Sequence, residues 1–199
     1  MAQLGHNAVG LELHRPAIEI TGQLFKYKGV SIKLAEGRVE EIPFGSENID
    51  LVLAFSVMEH VINLEDSLFE INRVLKPGGV FWFNSASSLC PRQHEIKGFP
   101  LFGWYPDRIK RYIMNWVKEK RPHLVGYTKT PAIHWWTPKK AKRKLQEAEF
   151  SKIIDRWDLR KLEEDYELRR TLASIIKNSN YLRRLADMAI PGCSFAAVR

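Results

Sequence analysis

Short apolar runs alternate with segments of helical spacing in the first half of the chain. Four runs have the length and the branched or aromatic residues of buried strands: residues 8–13, 30–34, 49–55 and 80–83. The segments between them predict a helix over residues 16–27 and a second over residues 63–76, which Asn63 can cap and Pro77 can end. Because strands that alternate with helices form parallel βαβ units, this pattern predicts an α/β sheet.

The second half of the chain is predicted to be mainly helical. In a helix over residues 106–120, apolar residues recur at i, i+3, i+4, i+7 and i+8, which predicts a buried stripe. The stripe consists of Ile109, Tyr112, Ile113, Trp116 and Val117. The remaining predicted elements are a helix over residues 137–149, a strand over 150–157, helices within 160–189 that break near 178–180, and a last strand over 194–198.

Length, composition and charge narrow the class of protein. The chain has 199 residues, of which 45% are hydrophobic and 27% charged, so it has the composition of one globular domain and not of a low-complexity chain. The net charge is +8, and residues 101–150 hold twelve Lys and Arg against four Asp and Glu. The positive charge is therefore local, which argues against a uniformly basic protein that wraps nucleic acid.

Features of cellular location are few. Cys90 and Cys193 are too few to form a disulfide framework. The sequence shows no signal peptide and no run of about 20 apolar residues that would span a membrane. These features predict a cytoplasmic protein.

Five short motifs follow one another along the first half of the chain. They are Glu12 at the end of a predicted strand, Glu40-Glu41-Ile42-Pro43-Phe44, Ile49-Asp50-Leu51-Val52, Met58-Glu59-His60-Val61 and Arg73-Val74-Leu75-Lys76-Pro77-Gly78-Gly79. Each motif is weak alone, but in this order and spacing the chain resembles the class I S-adenosylmethionine-dependent methyltransferases. The resemblance is to their small-molecule branch, which includes the ubiquinone/menaquinone C-methyltransferases, and it covers about residues 8–85.

The resemblance implies a fold and a domain organisation. The fold would be a Rossmann-like methyltransferase sheet, mostly parallel with an antiparallel last strand, and with a helical and aromatic insertion after the fifth strand of the family. The chain would form a single domain of residues 1–199. Its parts would be a cofactor half over residues 1–85, an acceptor cap over 86–136, and C-terminal helices and terminal strands over 137–199.

The resemblance also implies a cofactor and its contacts. The cofactor would be S-adenosylmethionine, bound at the carboxyl ends of the strands as in open α/β sheets generally. The implied contacts are Glu12 and Leu13 at the ribose, Arg38 and Val39 at the adenine, and Phe55, Ser56 and Val57 at the methionine end. His60 would face the methyl acceptor and is the candidate catalytic base, because an imidazole has a suitable ordinary pKa.

Two departures from the family pattern stand out. The first is Arg38, because the family often has an acid there that accepts the adenine amino group, and a guanidinium cannot accept a hydrogen bond. The second is the segment before Glu12, where the family has its first strand and a glycine-rich loop but this sequence has only residues 1–7. We therefore expect a sheet without its first strand, in which the two neighbouring strands either pair directly or leave a gap.

The acceptor cap is rich in aromatic residues. The candidates for contact with the acceptor are His60, Trp104, Tyr105, His134 and Trp135. Aromatic walls with few polar groups are typical of a pocket for a small molecule. His94, His123 and His134 lack the spacing of a compact zinc motif, so we expect no metal site.

Three other functions remain open from the sequence. The chain could be a non-catalytic or truncated methyltransferase-like protein that binds a partner. Its basic region over residues 101–150 could contact an anionic membrane or RNA, although no RNA-recognition signature is present and nucleic acid is not the expected partner. An NAD oxidoreductase is the weakest alternative, because the glycine fingerprint of dinucleotide binding is absent.

Overall fold

Strands and helices alternate as the sequence predicts within the residues that the computed structural model describes, which are 2–93, 95–125, 131–159 and 167–199. The strands are β1 (Val9–Glu12), β2 (Lys33–Glu36), β3 (Ile49–Phe55), β4 (Leu75–Ala86), β5 (Lys152–Asp155) and β6 (Gly192–Val198). The helices are α1 (Arg15–Tyr27), α2 (Leu64–Val74), α3 (Asp107–Lys120), α4 (Pro138–Glu147), α5 (Arg156–Leu159), α6 (Glu167–Lys177) and α7 (Asn180–Ala189). The predicted break between the last two helices is confirmed, whereas residues 160–166 lie outside the described residues.

The strands form two separate sheets. β1 and β2 make a parallel two-stranded sheet, and the other strands make a four-stranded sheet in the order β3-β4-β6-β5. β3 and β4 are parallel, while β6 runs antiparallel to both of its neighbours. The mostly parallel α/β architecture with an antiparallel last strand is therefore confirmed.

A gap separates the two sheets where the family has its first strand. Within the described residues, β1 pairs only with β2, and β3 pairs only with β4. Of the two expected arrangements of these strands, direct pairing or a gap, the gap is the one that forms among the described residues. Leu51, Leu53 and Phe55 share one face of β3 and are 37%, 42% and 62% exposed.

The start of β4 differs from the prediction. We expected residues 77–79 to end a helix and to precede the strand, but α2 ends at Val74 and β4 begins at the next residue. The pairing shifts register between Ile49 and Leu51, and Gly78 has φ of 78°. A bulge at this point accommodates both a proline that has no N–H to donate and a glycine that tolerates positive φ.

The main core lies between the four-stranded sheet and the helices α2 and α4. Asn63 caps α2, since its side chain accepts a hydrogen bond from the N–H of Asp66, and Thr137 caps α4 in the same way. The predicted apolar stripe of α4 is confirmed, because Ala141, Leu145 and Ala148 are all buried. The sheet contributes the fully buried rings of Phe81 and Phe83 on the same side.

A second apolar cluster forms the centre of the cap. Its buried residues are Ala86, Ile96, Phe102, Met114, Val117, Ala132 and Trp135. Helix α3 covers this cluster, but the predicted buried stripe of α3 is wrong in three of its five positions. Ile109, Tyr112 and Trp116 are 48%, 72% and 42% exposed.

Helix α3 buries a different face from the predicted one for a local electrostatic reason. Lys110 is only 1% exposed, with its ammonium 3.2 Å from a carboxylate oxygen of Asp107 and 4.5 Å from the ring centre of Trp135. These contacts allow a charged residue to enter the cap beside Met114 and Val117. Because the face with Lys110, Met114 and Val117 is turned toward the cap, the side chains of Ile109, Tyr112 and Trp116 are turned toward solvent.

Two further features concern cysteine and membrane spans. Cys90 and Cys193 are both buried and unpaired, and burial raises the pKa of the Cys193 thiol to about 12. Among the described helices, none is long and apolar enough to cross a membrane.

Candidate functional site

The first part of the candidate site is the carboxyl end of β1. The side-chain Oε1 of Glu12 accepts hydrogen bonds from the N–H groups of Leu13 and His14, at 2.9 and 3.1 Å. The main-chain carbonyl of Glu12 accepts another from the N–H of Gly37, at 3.1 Å. Oε2 has no hydrogen-bond partner among the described residues, so one oxygen of this positioned carboxylate can accept a further hydrogen bond.

The second part is the carboxyl end of β3. Ser56 has φ of 51°, and its N–H lies 2.8 Å from Oδ1 and 3.3 Å from the carbonyl oxygen of Asn84. Phe55 is 62% exposed and its ring centre is 4.9 Å from that of Trp82. Val57 is also exposed, so the segment turns off the strand with its side chains accessible. Sequence reasoning missed Asn84, although an amide after an apolar run at the carboxyl end of a strand was an available signal.

The adenine candidates Arg38 and Val39 lie on the loop after β2. Nε of Arg38 is 3.6 Å from Oε2 of Glu40. Oε1 of Glu40 accepts hydrogen bonds from the N–H groups of Ile62 and Asn63, at 2.8 and 3.3 Å. Burial opposes ionisation of Glu40, but its backbone hydrogen bonds outweigh burial and hold the pKa below its usual range. Glu40 thus ties the loop of Arg38 to the segment that follows His60.

An ion pair and its hydrogen bonds join two of the motifs, the one of residues 40–44 and the one that begins at Arg73. The guanidinium of Arg73 donates to the carbonyl oxygens of Ile42 and Phe44, both at 3.0 Å. It also binds Glu70 at 2.7 Å, and this hydrogen bond lowers the pKa of Glu70. These contacts fix the loop after β2 to helix α2.

Glu59 links the cofactor half to the cap. Its carbonyl oxygen accepts hydrogen bonds from the N–H groups of Ile133 and His134, at 2.8 and 3.2 Å. Its side chain is 5% exposed, and Oε2 accepts a hydrogen bond of 2.6 Å from the hydroxyl of Ser85. Sequence reasoning singled out its neighbour His60 and missed this role, although Glu59 is part of the same motif.

The two candidate histidines come together around this link. Nε2 of His134 lies 3.0 Å from the carbonyl oxygen of Val61, so Nε2 carries the proton and donates it. Burial, reinforced by the positive charge of Lys140, lowers the pKa of His134. Nδ1 of His60 is shielded from solvent and has no hydrogen-bond partner among the described residues. An unpartnered buried nitrogen is an available contact for an acceptor group.

The aromatic candidates of the cap have different surroundings. Trp135 is fully buried in the cap cluster, with its ring centre 6.3 Å from that of Phe102. Tyr105 packs against Phe102, with their ring centres 5.7 Å apart. Trp104 is 51% exposed, and its indole N–H donates a 2.8 Å hydrogen bond to the carbonyl of Leu89. The structure therefore gathers His60 and His134, but it separates an interior Trp135 from a surface Trp104.

A buried acid in the cap gives a prediction for pH dependence. Burial, followed by the negative charge of Glu59, raises the pKa of Glu95 to about 7, despite the opposing charge of Lys110. A raised folded-state pKa contributes stability that is complete below the unfolded value of about 4.5 and is lost as pH rises through about 7. We expect the Tm of the wild type to fall relative to Glu95→Gln between about pH 5 and about pH 8.

Thermal unfolding in parallel buffers checks this prediction. Glu119→Gln removes a carboxylate at an exposed position of α3 and is expected to leave the pH profile of the wild type unchanged. Parallel profiles of wild type and Glu95→Gln across this range would contradict the assignment.

Comparison with known proteins shows what this chain is similar to. Residues 1–83 match the family model described as a methyltransferase domain. A ubiquinone biosynthesis O-methyltransferase of Chelativorans sp. is 26% identical over 117 residues, which are 59% of this chain and 42% of that protein. A sterol 24-C-methyltransferase of Gibberella zeae is 33% identical over 79 residues, which are 39% of this chain and 21% of that protein. The chain spans less than half the length of these two curated relatives.

Solved structures share the fold across nearly the whole chain. A protein of Pyrococcus horikoshii, PH0226, has a TM-score of 0.57 at 16% identity, and the match covers 98% of this chain and 72% of the PH0226 chain. An S-adenosylmethionine-dependent methyltransferase of Mesorhizobium loti has a TM-score of 0.56 at 14% identity, with coverage of 96% and 79%. Residues 1–83 therefore match a methyltransferase domain, and the described part of the chain shares the fold of solved structures that include an S-adenosylmethionine-dependent methyltransferase.

Proposed function

We propose that this chain binds S-adenosylmethionine and transfers its methyl group to a small organic acceptor. The observation that carries the proposal is the position of Glu12 and of residues 55–57. They follow or end β1 and β3, each of which has a parallel neighbour, and open α/β sheets bind their ligands at the carboxyl ends of parallel strands. The family match over residues 1–83 supports S-adenosylmethionine as the ligand.

The residues present fit the ribose end of this cofactor best. Glu12 would accept a ribose hydroxyl through its free Oε2, with Leu13 beside it. Arg38 and Val39 would flank the adenine, and recognition there would use backbone atoms, because Arg38 already faces Glu40. Gly5 is the only glycine among the first seven residues, and it does not replace a glycine-rich loop.

The methionine end would lie against Phe55, Ser56 and Val57. Asn84 holds the N–H of Ser56, so this backbone is fixed before any ligand arrives. The bound cofactor supplies an electrophilic methyl group on a sulfonium. The task of the chain is then to align the acceptor and to exclude water.

The acceptor would enter between the segment of His60 and the cap. Nδ1 of His60 would accept a proton or a hydrogen bond from an acceptor hydroxyl, while His134 stays neutral and holds Val61. Trp104 and Tyr105 would contact the acceptor from the cap, and Trp135 would support them from its interior. The names of the relatives favour a ring-bearing acceptor of the quinone or sterol kind, lipid-linked or anionic. In this proposal the three segments of residues 1–199 act as one domain.

Isothermal titration with S-adenosylmethionine and with its demethylated product tests the proposal. We expect heat of binding for both and a rise in Tm. At a free ligand concentration about 100-fold above Kd, the free energy of unfolding should rise by about 2.7 kcal/mol. The absence of both heat and thermal shift would refute cofactor binding by this chain.

A further inference from the structure

Helix α3 carries an apolar stripe that the fold leaves exposed. Ile109, Tyr112 and Trp116 are spaced at i, i+3 and i+7, so they share one face of the helix. Their exposed fractions are 48%, 72% and 42%. The opposite face holds Met114 and Val117, which are fully buried in the cap. The stripe is therefore additional to the packing of the cap.

Basic side chains surround the end of this stripe. Those exposed on α3 and directly after it are Arg108, Lys118, Lys120 and Arg121. None of the four forms an ion pair within the part of the chain that the structure describes. The N–H of Lys97 donates a 2.8 Å hydrogen bond to the carbonyl of Leu124, so the exposed Lys97 adds a cation close to this end of the helix. Glu119 is the one exposed acid of α3.

Two cations of α4, Lys140 and Lys144, are already paired. Lys140 lies 3.8 Å from Asp107, and it donates to the carbonyl of Trp135 at 2.9 Å. Lys144 binds Glu65 at 2.6 Å and Glu147 at 2.8 Å. Lys139 and Lys142 of α4 are exposed and form no ion pair among the described residues, but no exposed large apolar side chain accompanies them on that helix. The unpaired cations beside an exposed apolar stripe are therefore those of α3.

The size of the stripe argues against a protein partner. Three side chains of this size bury at most about 650 Å², which falls short of the roughly 800 Å² per partner of a stable interface. A bilayer surface needs no such area. Tyrosine and tryptophan are favoured at the level of the lipid headgroups, and adjacent cations add about 1 kcal/mol each near an anionic surface.

We propose that the exposed face of α3 docks on an anionic lipid bilayer. Ile109, Tyr112 and Trp116 enter the headgroup region, and Arg108 and Lys120, which flank the stripe, contact anionic lipids. Docking there places the cap, on the other side of α3, beside the membrane surface. Because this contact needs no cofactor and no methyl acceptor, it stands or falls independently of the proposed methyl transfer.

Co-sedimentation with vesicles tests the proposal, with the full chain and no cofactor present. We expect binding to phosphatidylcholine vesicles that contain phosphatidylglycerol, and at least tenfold weaker binding to phosphatidylcholine alone. The triple variant Ile109→Ser, Tyr112→Ser and Trp116→Ser should lose binding, and Arg108→Glu with Lys120→Glu should lose the preference for anionic lipid. Tyr27→Ser and Tyr181→Ser are the matched controls, because both tyrosines are exposed, on α1 and α7, and should leave binding unchanged.

A second measurement reports on the stripe itself. Brominated lipids should quench tryptophan fluorescence of the wild type on vesicle binding, and Trp116→Phe should lose most of that quenching. Unchanged vesicle binding by the triple variant would overturn the proposal. So would binding of the wild type to RNA but not to vesicles, or a dimer in solution that the triple variant dissociates.

Discussion

Glu12→Ala is expected to weaken binding of S-adenosylmethionine by about 10- to 100-fold. Hydrogen bonds to a charged group contribute about 1.5–3 kcal/mol, and about 1.4 kcal/mol is a factor of ten in affinity. Loss of the carboxylate removes this contribution at the ribose. It also frees the N–H groups of Leu13 and His14, which are exposed and can bind water, so the effect on folding should be small. Isothermal titration of the variant measures the change.

A matched control lies on the neighbouring strand. Glu36 pairs with Glu12 in the register of β1 and β2, and it is also exposed at the end of its strand. Glu36→Ala should bind the cofactor as the wild type does. Equal weakening by the two variants would mean that Glu12 acts only through the general negative charge of this sheet end.

Trp135→Ala is expected to lower the free energy of unfolding by about 3–5 kcal/mol, the usual cost of truncating a fully buried large aromatic residue. The indole packs against Phe102 and lies beneath the ammonium of Lys110, so its removal leaves a cavity and a buried charge that has lost one of its contacts. Chemical denaturation monitored by circular dichroism measures the loss. Because native domains are stable by about 5–15 kcal/mol, a loss of this size is a large share of the total.

Trp104→Ala provides the comparison within the same cap. Trp104 is half exposed, so its truncation should cost less than about 1.5 kcal/mol, mainly for the hydrogen bond to Leu89. If Trp104 contacts the acceptor as proposed, KM should rise in this variant while stability changes little. Similar losses of stability in both variants would contradict the interior position of Trp135.

Much of the fold could be predicted from the sequence because the helix caps and the buried strands are local features. The cap residues Asn63 and Thr137 and the apolar run of β3 are found where their patterns predict them. The exposed face of α3 could not be predicted. Two faces of α3 carry apolar residues at helical spacing, one with Tyr112 and Trp116 and one with Met114 and Val117. Which face is buried depends on the contacts of Lys110 with Asp107 and Trp135 across the cap.

The candidate site was predictable only in its strand ends. Glu12 and Phe55 follow directly from strand boundaries, since the carboxyl end of a strand can be located from its apolar run. The supporting residues Asn84 and Glu59 were not predictable, because their partners are 26 or more residues away in sequence. Only the folded arrangement shows that Asn84 holds Ser56 and that Glu59 holds the cap.

The gap between the two sheets has a consequence for cooperativity. Among the residues that the structure describes, β1, α1 and β2 share no ladder of hydrogen bonds with the four-stranded sheet, and α1 has no buried residue. This unit can therefore open at a lower free energy than the four-stranded sheet, as a separate cooperative unit. The site residues Glu12 and Ser56 belong to different units. A ligand that contacts both residues binds only when both units are folded and in place. By linkage, its binding should therefore raise the free energy of opening of the β1–α1–β2 unit.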